Sequence, residues 1–245
     1  YNLEDISRGI DEILIKQPLG VFACIAPFNF PFMVPLWFMP TAVATGNTYI
    51  LKPSPWTPLS MVKFMELVDE AGFPPGVINM VNGNIAPVQE ILRNPEVKGV
   101  SFVGSTHIGR DIIYKEAATA GKRVQAQCGA KNHLVVMPDA DIESTIPSLL
   151  SSFFGNTGQR CLAGANLVMV GDDEAWIKST LDKIKDAAAK IKIGYGLEEG
   201  IQMGPLQAEH RKERVLGYIE KGVDEGAKLK MDGRKYDSSG YPEKC

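Results

Sequence analysis

From Leu19 onward the chain alternates short apolar runs with longer stretches in which apolar residues recur at helical spacing. Val21 to Ala26, Thr48 to Leu51, Val77 to Val81, Gly99 to Val103 and Arg123 to Gln127 have the length and composition of buried strands. Between them, Met33 to Ala44, Ser60 to Ala71, Ala86 to Leu92 and Ile108 to Ala120 repeat at helical period, and Gly72 and Gly121 close the second and fourth. Apolar strands alternating with helices predict an α/β fold, a parallel sheet covered on both faces. Such sheets bind ligands outside the carboxyl ends of their strands. Three conspicuous loops, Pro27-Phe28-Asn29, Lys52-Pro53-Ser54 and Gly104-Ser105, follow directly on predicted strands.

A second set of elements begins near His133. Leu134 to Met137 and Asn166 to Val170 read as strands, Glu174 to Lys190 and Glu209 to Glu225 as amphipathic helices, and Lys228 to Met231 as a short strand. Asp139 and Asp141 are N-cap candidates for a helix carrying Ile146, Leu149, Leu150, Phe153 and Phe154 on one face. Pro147 falls inside that helix unless it starts late. The helix then meets Gly155 and Asn156, residue types that end helices in a left-handed cap. At the other end of the chain, Leu3 to Ile13 reads as a polar helical phrase.

Composition narrows the function. With 245 residues, 44% of them hydrophobic, the chain can bury one sizeable core or two. A formal net charge of −3 without a basic run argues against nucleic acid as the main partner. The longest apolar stretch, Phe28 to Val43, is interrupted by Asn29 and prolines, so no bilayer-spanning segment is expected. Cys24, Cys128, Cys161 and Cys245 lack metal-ligand or disulfide spacing, and His107, His133 and His210 lie far apart, so no metal is expected. A reducing, cytoplasmic compartment fits best, or the mitochondrial matrix in a eukaryote. The absence of a starting methionine and the stop at Cys245 suggest a piece of a longer subunit.

The stretch Gly155-Asn156-Thr157-Gly158-Gln159-Arg160-Cys161 delivers a cysteine beside a cation. A neighbouring positive charge favours the thiolate, which is the nucleophile, although a cysteine next to an arginine is often structural. Phe102-Val103-Gly104-Ser105-Thr106 before a helix has the form of a phosphate-binding turn but lacks the full G-x-G-x-x-G spacing. Asn29, between two prolines and two phenylalanines, is a polar amide in a stiff apolar loop and needs a partner or serves one.

Taken in order, Ala26-Pro27-Phe28-Asn29-Phe30-Pro31, Gly46-Asn47-Thr48, Leu51-Lys52-Pro53-Ser54, Ala71-Gly72-Phe73-Pro74-Pro75-Gly76, Phe102-Val103-Gly104-Ser105-Thr106 and Gly158-Gln159-Arg160-Cys161 resemble the aldehyde dehydrogenase superfamily. Gln125-Ala126, Gly129-Ala130-Lys131-Asn132-His133 and Val136-Met137-Pro138-Asp139-Ala140 resemble its CoA-acylating methylmalonate-semialdehyde branch. The resemblance implies a connecting segment over residues 1–18, a Rossmann-like NAD-binding domain over 19–132 and a partial α/β catalytic domain over 133–245. It also implies a homo-oligomer in the full-length form. Cys161 matches the family nucleophile and Asn29 the side-chain donor to the oxyanion. Ala26, Phe28, Lys52, Pro55, Trp56, Ser105 and Cys128 match cofactor-contacting positions, with Lys52 on ribose hydroxyls and Ser105 on the pyrophosphate.

Hydrolytic relatives activate water with a glutamate where the resemblance places Ala126, which cannot act as a base. A CoA thiol attacks a thioester without such help, so an acylating reaction follows, with NAD as cofactor and CoA as co-substrate. The small-molecule substrate is then methylmalonate or malonate semialdehyde, giving propionyl-CoA or acetyl-CoA with loss of CO2. Arg160 matches a position that meets the substrate carboxylate, with a loop-organising ion pair as its alternative. Pro55 replaces a glutamate common in the family, which leaves the choice between NAD and NADP open. A hydrolytic enzyme with another base, and a dinucleotide-binding member without turnover, remain alternatives.

Overall fold

The computed structural model describes residues 1–235, so Cys245 lies outside the described residues. The chain divides into two compact units, Tyr1–Gly129 and Ala130 onward.

The first unit is built on a five-stranded sheet. Its strands are β3 (Val21–Ile25), β4 (Thr48–Lys52), β5 (Ile78–Met80), β6 (Val97–Val103) and β7 (Arg123–Gln127), ordered β5-β4-β3-β6-β7. Every neighbouring pair is parallel. Helices α1 (Met33–Ala44), α2 (Leu59–Glu70) and α3 (Ile85–Arg93) join the first four strands of this sheet in sequence. The last crossover is a helical run of α4 (Thr106–Ile108), a π-helical segment Gly109–Tyr114 and α5 (Lys115–Thr119). The chain starts the sheet at β3, builds outward to β5, then returns to the other side of β3 with β6. That reversal leaves a crevice between the carboxyl ends of β3 and β6, the point where such sheets take ligands.

Side chains alternate across each strand, so the sheet has two cores. One packs Ala23, Ile25, Val100 and Phe102 against Ile91 and Leu92 of α3 and Ile113 and Ala117 of the last crossover. The other packs Cys24, Tyr49 and Leu51 against Val34 of α1 and Met61 of α2. Asn47 ties the sheet to α1: its side-chain oxygen accepts from Leu19 N and Gly20 N at 2.8 and 3.1 Å, and its amide donates to Ala42 O. The Gly46-Asn47 motif is therefore a structural corner.

The amino-terminal phrase differs from its expected form. Leu3 to Ile13 is a hairpin of β1 (Asn2–Ser7) and β2 (Ile10–Ile13), antiparallel, with Asn2 opposite Ile13 and Ser7 opposite Ile10. Its leucine and isoleucines fit either period, but Gly9 at φ +77° supplies the left-handed residue of a tight turn that a helix would not contain.

The second unit opens with β8 (Asn132–Val136), paired in parallel with β9 (Gly164–Met169). Helix α6 (Ile142–Phe154) connects them, α7 (Glu174–Ala188) follows, and α8 (Glu209–Asp224) is a surface helix. Asp141 caps α6 by accepting from Glu143 N, so the helix starts early and Pro147 sits inside it. Lys228 to Met231 forms no strand; among the described residues no partner strand lies beside it, and an unpaired extended segment has no ladder to hold it. No helix among the described residues is long and apolar enough to cross a membrane.

Candidate active site

In the first unit, adjacent strands deliver the expected cofactor residues, and with them the expected oxyanion donor Asn29, to one edge. Ala26, Phe28 and Asn29 follow β3, Lys52 ends β4 and leads to Pro55 and Trp56, Ser105 follows β6, and Cys128 follows β7. Two backbone bonds and one side-chain bond tie these loops together. Ala26 N donates to Lys52 O at 3.0 Å, Gly104 N to Gln127 O at 3.1 Å, and the Thr57 hydroxyl to Phe28 O at 3.4 Å. Ala26 is buried, Phe28 and Asn29 are half-buried with the Asn29 side-chain oxygen inside, and Pro55 and Trp56 are exposed.

Lys52 is 4% exposed, and burial pushes its ammonium pKa down. No hydrogen bond or ion pair of that ammonium is found among the described residues. Ser105 occupies the N-cap of the following helix in extended conformation without using its hydroxyl as a cap, leaving that hydroxyl and the first helical N–H groups for an anion. A buried cation at the end of β4 and an open helix start after β6 thus lie at the carboxyl edge of the sheet, on either side of β3. Cys128 packs its sulfur against Gly109, where a Cβ would collide with it.

Ala126 packs into the first core, so a carboxylate there would be buried among apolar side chains. The residue that β7 presents on the opposite face near its end is Gln127, which with Gln125, Trp37 and Phe38 lines a cavity of about 520 Å³. Neither Ala126 nor Gln127 carries a carboxylate, so neither can act as a base.

In the second unit, α6 runs into a strained turn. Gly155 is extended (φ −55°, ψ 131°), and the left-handed residues are Asn156 (φ 54°), Thr157 (φ 55°) and Gly158 (φ 68°). The left-handed cap thus falls one residue later than expected and includes a β-branched threonine, a genuine outlier. The Arg160 guanidinium lies close over Gly155, its carbon 2.5 Å from where a Cβ would stand. Arg160 folds back on the end of α6 and donates to Ser151 O at 3.4 Å, where the helix dipole favours a cation. Its ion-pairing alternative finds no acidic partner among the described residues. It lines a cavity of about 490 Å³ with Lys190, Ile146, Leu150, Phe154 and Met203.

Cys161 is half-buried in the turn that leads to β9. Its carbonyl accepts from the Asn132 amide at 2.9 Å, and the same amide nitrogen donates to Ala163 O at 3.0 Å. Cys24, by contrast, is fully buried, and desolvation pushes its thiol up to about 12, which removes it as a nucleophile near neutral pH. Sequence reasoning missed Thr157, Gly109 and the bonds of Asn132. No residue-type signal marks a threonine for a left-handed turn, and Asn132 stood out only as part of a longer phrase.

The model of the aldehyde dehydrogenase family matches residues 2–243. The chain belongs to that family. A malonate-semialdehyde dehydrogenase of Bacillus mycoides is 49% identical over 242 residues, 98% of this chain and 49% of the relative. One from Geobacillus kaustophilus is 45% identical over 234 residues, 96% of this chain and 47% of the relative. A Sinorhizobium meliloti structure described as a methylmalonate-semialdehyde dehydrogenase complexed with NAD superposes with TM-score 0.93 at 41% identity, over 98% of this chain and 48% of that one. A methylmalonate-semialdehyde dehydrogenase from Oceanimonas doudoroffii gives 0.89 at 43% identity, over 96% and 48%. The chain thus spans about half the length of these dehydrogenase relatives.

Proposed function

We propose that this chain carries the cofactor-binding unit and the nucleophile of an NAD-dependent, CoA-acylating semialdehyde dehydrogenase. The observation that carries the reading is the Cys161 loop: one half-buried cysteine, fixed by its own carbonyl, on a turn forced into a strained shape. The Cys161 sulfur attacks the aldehyde carbon and its own backbone N–H meets the oxyanion formed; the resemblance to the family gives Asn29 the role of side-chain donor. Lys52 holds ribose hydroxyls, Ser105 and the following N–H groups hold the pyrophosphate, and Ala26, Phe28, Pro55, Trp56 and Cys128 wall the cofactor. Bound NAD supplies the hydride acceptor. The product on Cys161 is a thioester.

The absence of a carboxylate on the open face of β7 favours transfer of that thioester to CoA over hydrolysis, since Gln127 takes no proton from water. The semialdehyde substrate rests on the malonate- and methylmalonate-semialdehyde relatives and on Arg160, whose guanidinium suits a carboxylate.

NADH formation from malonate semialdehyde, methylmalonate semialdehyde and propanal, each with and without CoA, tests the reading. Turnover of the two acids that requires CoA is expected, with Cys161→Ser abolishing it and cofactor binding retained. Steady turnover without CoA would replace the acylating reaction by a hydrolytic one, and unchanged turnover in Cys161→Ser would remove the nucleophile.

A further inference from the structure

The loop that presents Cys161 is held by side chains outside the reacting set. Three successive left-handed residues, Asn156 to Gly158, cannot be there by intrinsic preference, because a threonine at φ 55° is disfavoured by its branched Cβ. A conformation of this kind persists only where its surroundings over-determine it. The Thr157 hydroxyl donates to Gly204 O at 2.7 Å, across 47 residues of chain. On the other side of the loop, the Asn132 amide nitrogen reaches both Cys161 O and Ala163 O, so one donor at the start of β8 clasps the carbonyls of the two residues that flank Leu162. Between these two points no residue is buried: Gly158 and Arg160 are exposed, Gln159 and Cys161 half-buried, and Leu162 is 77% exposed. Apolar packing therefore does not fix the segment.

We propose that Asn132 and Thr157 are positioning residues for Cys161: a clasp on its carbonyl and a latch on the strained turn before it, which together hold the thiol in its half-buried setting. The inference rests on the assignment of Cys161 as nucleophile for its meaning, but its test reads the geometry alone. Neither side chain touches the reacting atoms. Each fixes the backbone that carries them.

The experiment measures iodoacetamide alkylation of the Cys161 peptide by mass spectrometry, beside hydrogen exchange of amides in β8 and β9. Thr157→Val keeps the branched Cβ and removes the hydroxyl, Thr157→Ser keeps the hydroxyl, and Asn132→Asp keeps the shape and removes the donor. Each lost bond should raise the open fraction of the loop and speed alkylation about fivefold. Thr157→Ser should stay within about twofold of the unsubstituted protein, since the bond is kept. Exchange at Val135, Val136, Val168 and Met169 should be unchanged in all three. Unaltered Cys161 alkylation in both Thr157→Val and Asn132→Asp overturns the proposal. So does faster exchange throughout β8 and β9 in step with alkylation, which would make both residues general supports of the unit. Failure of the enzymatic reading would show as absent NADH formation and would leave these rates as they are.

Discussion

Two buried lysines in the first unit show how partners separate a structural group from a functional one. Lys122 is 8% exposed, and its ammonium donates to Asn94 O and to Val97 O, the latter at 2.8 Å. Lys52 is 4% exposed, and its ammonium has no such bonds among the described residues. Burial lowers both pKa values, with Lys98 repelling Lys122 in addition. Between a lowered folded value and the ordinary lysine value of about 10.4, the unfolded chain binds more protons than the folded one. Stability should therefore rise with pH through that window, the cost of the buried charge being present in full below it. Lys52→Met should hold or raise the melting temperature at neutral pH and flatten the alkaline rise. It should weaken NAD binding about 10- to 100-fold, the worth of one charge-assisted hydrogen bond. Lys122→Met should instead lose about 2–3 kcal/mol, because two carbonyls forfeit their donor. Melting curves from neutral to alkaline pH, with NAD titrations, check both. Equal destabilisation by the two substitutions with unchanged NAD affinity would make Lys52 a scaffold residue.

At the scale of elements, the join between β6 and the helix after it is set by close approach. Gly104 and Gly109 both lie against the Phe102 ring, 2.5 and 2.9 Å from where a Cβ would stand, and the Cys128 sulfur also crowds Gly109. Gly109 begins the π-helical segment, one turn after Ser105, and π segments are rare enough to mark functional positions. Gly109→Ala must push apart a ring, a sulfur and a helix, at about 1–3 kcal/mol for overpacking. A drop of several degrees in melting temperature should accompany weaker NAD binding, because the first turn and its N–H groups move together. A substitution silent in both would mean that Cys128 and Phe102 step aside. The sequence pattern disclosed the five sheet strands and the helices between them because the central strands β3, β4 and β6 and the inner faces of the helices are buried, so their periods are written in apolar residues. It failed where burial is absent. Leu3 to Ile13 is exposed throughout, and its hairpin depends on cross-strand pairing and Gly9, which spacing alone does not reveal. Lys228 to Met231 carried strand-like composition without a partner. The π segment and the left-handed Thr157 left no trace in residue type.

At the scale of the whole molecule, the division into two units separates the two halves of the proposed chemistry. Ala26, Phe28, Asn29, Lys52, Pro55, Trp56, Ser105 and Cys128 all lie before Gly129, while Arg160 and Cys161 lie after Ala130. A ligand that binds only the folded form stabilises what it binds by RT ln(1 + [L]/Kd), about 2.7 kcal/mol at a hundredfold excess over Kd. Amides that exchange only through unfolding of the unit should slow by about the same hundredfold factor. With NAD added, protection should concentrate in β3, β4 and β6 and in the loops that follow them. The β8–β9 pair should keep its rates unless the two units unfold as one. Lys52→Met should remove the protection at matched NAD concentration, whereas Cys161→Ser should preserve it, because the sulfur contributes nothing to holding the dinucleotide in its own unit. Hydrogen exchange followed by peptide mass spectrometry reads all of these amides in one experiment. Protection confined to the second unit would place the cofactor away from the switch point between β3 and β6 and would undo the assignment of the first unit.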